Sequence, residues 1–174
     1  MTSEIEWVKS IAARMVDSGA LVQAGGESLR IDTGAKLPYA REVLRHPGKG
    51  SPLSGRESEW LLYDRLDERW WTPRVVLECR LSDVTTHDAF SYSARATTDK
   101  RAHPYLRYGI LLGGREERPG PAGLFGHRNN FDFVACWEEE KASPAEWESF
   151  LSVLTEEIQV SRTIQEVLSS GMAR

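Results

Sequence analysis

The order of segments predicts an α/β domain, a central mixed β-sheet flanked by helices and closed by a long C-terminal helix. Three observations carry this. Runs of large apolar residues, "VVLECRL" at 75–81, "YLRYGILLGG" at 105–114 and "FDFVACW" at 131–137, read as buried strands. Apolar residues at helical spacing occupy residues 3–17 and again from Pro144 to about Leu168. The two kinds of segment alternate, which favours a sheet covered by helices.

Each element has a local signature. Ser3 is the N-cap of the first helix, whose stripe is Ile5, Val8, Ile11, Ala12, Met15 and Val16. Gly19 stops it. Ala20–Gln23 and Ser28–Asp32 read as short strands around the turn pair Gly25-Gly26. An insertion rich in proline and glycine follows over about 33–56, with a short helix near Tyr39–Leu44 and the basic residues Lys36, Arg41, Arg45, Lys49 and Arg56. "ESEWLLYDRLDERWW" at 57–71 reads as a second helix, ended by Thr72-Pro73, and Arg74–Leu81 as a strand.

Residues 86–101 alternate in part like a strand, but their length and alanines favour helix, with Thr86 as N-cap ahead of Asp88. "PGPAG" is loop. Ser143-Pro144 opens the last helix. Residues 1–142 thus form the α/β domain and 143–174 the terminal helix. Trp70 and Trp71 are adjacent and cannot face the same way, so one ring is expected near the surface.

Composition narrows the function classes. In 174 residues, 40% hydrophobic content with six Trp supports a real core and argues against global disorder. A formal charge of −4 excludes a protein basic all over, yet permits a local basic face. Cys79 and Cys136 lie in apolar segments, which favours buried thiols in a reducing compartment over a disulfide framework. No apolar run is long enough to span a bilayer, and no signal-peptide pattern is visible, so a soluble cytoplasmic protein is expected. The four histidines are scattered without zinc-ligand spacing.

The chemistry concentrates in "VVLECRL". Side chains alternate along a strand, so Glu78 and Arg80 share one face with Val76 behind them. A carboxylate can ligate Mg²⁺ or Mn²⁺, while a nearby cation neutralises charge at a phosphorus centre. Such a site needs a second acid. Asp32, at the end of the preceding strand, and Asp64, on the expected second helix, are the candidates. The bland alternative is an ordinary ion pair on a sheet surface. Arg95, Lys100, Arg101, His103 and Arg107 form the densest basic segment, suited to a DNA backbone or simply to solvent. His127-Arg128-Asn129-Asn130 reads as a hydrophilic turn.

The succession helix–strand–strand–strand–helix–strand, with Glu-x-basic on the third strand, resembles the PD-(D/E)XK superfamily of restriction-endonuclease-like nucleases. The resemblance covers about residues 3–113 and rests on "VVLECRL", the helix ending "DKR" and "YLRYGILLGG". It implies metal-dependent phosphodiester hydrolysis of DNA, as in restriction or phage defence, with Glu78 and either Asp32 or Asp64 as metal ligands. Arg80 occupies the position the family fills with Lys, and no "PD" dipeptide precedes the triplet. Lys100, on the next helix, is then the candidate for the missing ammonium. Arg stays charged at any working pH and is a poor candidate to take a proton from water, so a non-catalytic nuclease-like module that binds nucleic acid or a protein partner is the second reading. A winged-helix module ranks last, because the chain supplies one helix before the expected wing where two are needed. Cutting both strands of a duplex, and the many apolar residues of the last helix, favour a homodimer with that helix at or bracing the interface; the alternative is a monomer whose helix packs back across its own sheet.

Overall fold

A computed structural model describes residues 3–38, 44–45, 55–67, 70–81, 84–114 and 130–172. The elements run α1 (Glu4–Asp17), α2 (Ala20–Gly25), β1 (Leu29–Thr33), β2 (Lys36–Pro38), β3 (Leu44–Arg45), β4 (Gly55–Glu57), β5 (Trp60–Arg65), β6 (Trp70–Arg80), α3 (Thr86–Ala102), β7 (Arg107–Leu112), β8 (Phe133–Cys136) and α4 (Pro144–Met172). The main sheet has the order β1-β5-β6-β7-β8, with β3 pairing onto β6 at Leu44↔Trp71. The β1/β5 and β5/β6 pairs are antiparallel, and β6/β7 and β7/β8 are parallel. The sheet is mixed, as expected, and a long C-terminal helix is present.

Alternation on the central strands splits the core into two layers. Trp60, Leu62, Val75, Leu77 and Cys79 face a layer shared with α1, α2 and α4. Leu61, Tyr63, Val76, Tyr108 and Ile110 face the α3 layer with Tyr92 and Ala96. The terminal helix is part of this core, since Trp147, Phe150, Leu154 and Ile158 pack in the first layer. At the β7/β8 pairing, a Cβ on Gly109 would come within 2.2–2.5 Å of the Phe133 ring, so only glycine fits there.

Several sequence expectations need correction. Ala20–Gln23 is the start of α2, not a strand. Gly19, with φ 71°, turns the chain into it, and Ala20, Leu21 and Ala24 bury one side. Four residues are too few for periodicity to distinguish the two states. "ESEWLLYDRLDERWW" is not a helix: it holds β4's end, β5, a turn and the start of β6. Trp60 to Tyr63 is apolar at every position because β5 is central and buried on both faces. Pro73 lies inside β6 opposite Tyr63, where the register shifts between Leu62 and Tyr63; the irregularity absorbs the missing N–H.

The N-cap of α3 is Thr85, not Thr86, because the reciprocal capping box with Asp88 requires a spacing of three. Cys136 is exposed rather than buried, at the last position of β8 on the sheet's flank. Ser3 and the helix through residue 101 are as expected, and Trp70 is exposed while Trp71 is buried. The expected Tyr39–Leu44 helix, "PGPAG" and the 127–129 turn fall largely outside the described residues. Among the described residues no helix is long and apolar enough to cross a membrane.

Candidate functional site

Both layers meet at the C-terminal end of β6, where the apolar pattern gives way to Glu78 and Arg80. Leu77 and Cys79 point into the first layer, so the period of two turns Glu78 and Arg80 toward α3. Glu78 is almost fully buried, at 1% exposure. Its Oε1 accepts a hydrogen bond from the Tyr108 hydroxyl at 2.5 Å and lies 3.5 Å from the Arg95 guanidinium. Burial of a carboxylate demands such partners.

A second carboxylate arrives from the neighbouring strand. Trp60 pairs with Leu77, so Glu59, one residue before β5, reaches the same end of β6. Its Oε2 accepts the Cys79 amide. Burial, with the negative charges of Glu78 and Glu4 added, pushes Glu59 up to about 7, against the pull of the Cys79 amide and Arg80. The same burial and acids hold the Cys79 thiol well above its ordinary value, so it is a packed thiol and not a nucleophile.

Glu4, in the first turn of α1, completes the rim. It accepts from Arg80 Nη1 at 2.8 Å and from the Leu81 amide at 3.2 Å. Arg80 also donates through Nε to the Tyr92 hydroxyl and lies 3.5 Å from Asp88. Burial works against its charge, but Tyr92 and Glu4 outweigh this and hold the guanidinium above its ordinary value. Burial also raises the Tyr92 phenol, which therefore stays neutral beside it.

These groups border a cleft of about 450 Å³ whose lining includes Glu4, Glu57, Glu59, Glu78, Lys9 and Arg95. The donors are hard carboxylate oxygens, the type that Mg²⁺ and Mn²⁺ prefer. Among the described residues no group of three or more His, Cys, Asp or Glu is placed to hold a metal ion. By donor type, one or two of these carboxylates are what a cation otherwise completed by water and substrate oxygens would take. Glu59, raised to about 7 by burial first and then by Glu78 and Glu4, is a carboxyl that a nearby cation would pull back down.

Of the residues singled out in the sequence, Glu78 and Arg80 stand at this site, and Asp32, Asp64 and Lys100 do not accompany them. Asp32 lies on β1 opposite Leu61, two strands from β6, and borders a separate shallow depression with Ile31 and Ala35. Asp64 is on strand β5, not on a helix, and pairs with Thr72 at the far end of β6. Six residues separate Thr72 from Glu78, roughly 20 Å at strand rise. There Asp64 is buried between Arg74 at 2.7 Å and Arg162 at 2.6 Å, and it accepts from Ser28 at 3.2 Å. Burial alone would raise its pKa, but the two arginines outweigh it and hold the carboxyl below its ordinary value. Lys100 is paired with Asp132 at 2.7 Å.

The acids missed in the sequence are Glu59 and Glu4. Reading residues 57–71 as helix hid Glu59, because only strand pairing brings it beside Glu78. No local signal marks Glu4, which reaches Arg80 across 76 positions of chain. No protein-family model matches the chain, and no curated protein matches it.

Proposed function

We propose that this chain is a metal-dependent endonuclease hydrolysing phosphodiester bonds in DNA, on a restriction-endonuclease-like fold. The observation that carries the reading is the cleft in which Glu59 and Glu78, from the ends of adjacent strands, lie together beside Arg95. The order α1, β1, β5, β6, α3, β7, with antiparallel, antiparallel and parallel pairing along the strands, supports it. Glu78 and Glu59 would hold Mg²⁺ or Mn²⁺, which when bound supplies charge stabilisation at phosphorus. Tyr108 fixes the Glu78 carboxylate, and Glu4 with Tyr92 fixes Arg80 at the rim. Water adds to phosphorus as one P–O ester bond breaks, and its proton ends on the departing oxygen, leaving a phosphate monoester and a hydroxyl.

Supercoiled plasmid with Mg²⁺ or Mn²⁺ is the test. Nicking is expected, and Glu78→Ala and Glu59→Ala should each abolish it with the circular dichroism spectrum unchanged. A Glu78→Ala protein that cuts as fast as the parent refutes the assignment. The non-catalytic binding module is favoured by one observation, that Arg80 replaces Lys and is already ion-paired with Glu4 and Asp88. DNA binding without cleavage under either metal would select it.

A homodimer extends the proposal. Most of the apolar side of α4 is used within the chain, and Val167 and Leu168 near its end remain exposed. Light scattering at micromolar concentration tests this; a mass near 19.6 kDa throughout rejects it.

A further inference from the structure

A cleft lined by four carboxylates, Glu4, Glu57, Glu59 and Glu78, repels a polyanion unless cations stand within it. Three cationic side chains are close enough to matter, and their surroundings differ. Arg80 is engaged on three sides: Glu4 at 2.8 Å, Asp88 at 3.5 Å and the Tyr92 hydroxyl. Its side chain is 29% exposed. Freeing it for a substrate would uncouple α1 from β6 at the Glu4 contact. Lys9 lines the cleft from α1 and is exposed, an unfixed point charge on a flexible stem.

Arg95 is different. It lines the cleft from α3, its side chain is 42% exposed, and its contact with Glu78 is a long one at 3.5 Å. Its guanidinium also lies 5.7 Å from the centre of the Tyr92 ring, a contact that it shares with Arg80 at 5.6 Å. A planar group with five donors thus stands at the mouth of the cleft beside the most buried of its acids. That matches what two oxygens of a phosphate require.

We propose that Arg95, rather than Arg80, is the guanidinium that receives the non-bridging oxygens of a substrate phosphodiester, and that Arg80 is a positioning residue that locks α1 to the end of β6. The assignment rests on the endonuclease reading for its substrate class, but phosphate contact can be measured without cleavage. It also accounts for the Glu-x-Arg departure: the cation for phosphate comes from α3 and not from the strand.

The experiment uses the full chain and a fluorescein-labelled 20-base-pair DNA duplex. Binding is read by anisotropy in Ca²⁺ over a salt series, and cleavage of the same duplex in Mg²⁺. Arg95→Gln should lower kcat/KM about 100-fold and reduce the slope of log Kd against log salt by about one phosphate contact. Arg95→Lys keeps a positive charge beside Glu78, guards against a folding defect and should restore part of both losses. Arg80→Gln should leave the salt slope unchanged, because that guanidinium is already engaged by Glu4, Asp88 and the Tyr92 hydroxyl. Arg95→Gln protein that binds and cuts like the parent overturns the proposal, as does a salt slope that moves with Arg80 and not with Arg95. A parent that binds but never cuts, with the Arg95→Gln slope still reduced, upholds the Arg95 contact while the hydrolytic reading falls. A parent that neither binds nor cuts overturns both.

Discussion

Replacing Glu59 by Gln should stabilise the domain at alkaline pH, and the size of the effect follows from the site. In the folded chain Glu59 sits near 7, against an ordinary value of 4.5, because it is buried and faces Glu78 and Glu4. Below pH 4.5 the group is protonated in both folded and unfolded chains, and its contribution to stability is at its greatest. As pH rises toward 7 the unfolded chain releases this proton while the folded chain retains it, so stability falls, and above 7 the loss is complete. A shift of this size corresponds to about 3 kcal/mol, a large part of the net stability of an ordinary domain. Gln cannot ionise, and its carbonyl can still accept the Cys79 amide. Urea unfolding followed by Trp fluorescence at pH 5 and pH 8.5 reads the difference directly. Between pH 5, where the unfolded chain has already begun to release the proton, and pH 8.5, the variant should gain about 2.5 kcal/mol on the parent. A stability difference that is the same at both pH values refutes the argument that the neighbouring acids and burial strain this carboxylate.

Other consequences are measurable in the same way. Asp64→Ala removes the shared anion from buried Arg74 and from Arg162, and should cost about 3–5 kcal/mol in urea unfolding while the protein that remains folded keeps its activity. Because the Asp64 carboxyl is held below its ordinary value, its contribution is present above the usual carboxylate range and is lost as pH falls through the folded value; Asp64→Asn should flatten that acid limb. Gly109→Ala forces a methyl into the Phe133 ring and should lower stability by about 1–3 kcal/mol, seen as a reduced Tm. Deleting residues 144–174 strips Trp147, Phe150, Leu154 and Ile158 from the core, and the truncated chain should lose its cooperative thermal transition.

Local rules determined a good part of this protein from its residues alone. The capping box at Ser3 and Glu6, the stripe of α1, the both-face burial of "VVLEC" and "RYGILL", and the Ser143-Pro144 start of α4 are contacts within a few positions or a single periodicity. They set the α/β class and put Glu78 and Arg80 on one face of their strand. Tertiary structure decided the rest. "WLLY" is apolar at every position, and such a run suits a buried helix or a central strand until its neighbours are known. Assigned as helix, it separated Glu59 from Glu78; paired with β6, it brings them to one cleft. Asp64 and Asp32 were equally acceptable second acids by type. Yet strand register sends Asp64 to the opposite end of the sheet between two arginines, and leaves Asp32 two strands from β6. The partners of Arg80 and Glu78 come from α1, α3 and β7, at separations from 8 to 76 positions. Side-chain type and spacing are local properties; which charges share a cleft depends on strand order and register, and those are fixed only when the whole core packs.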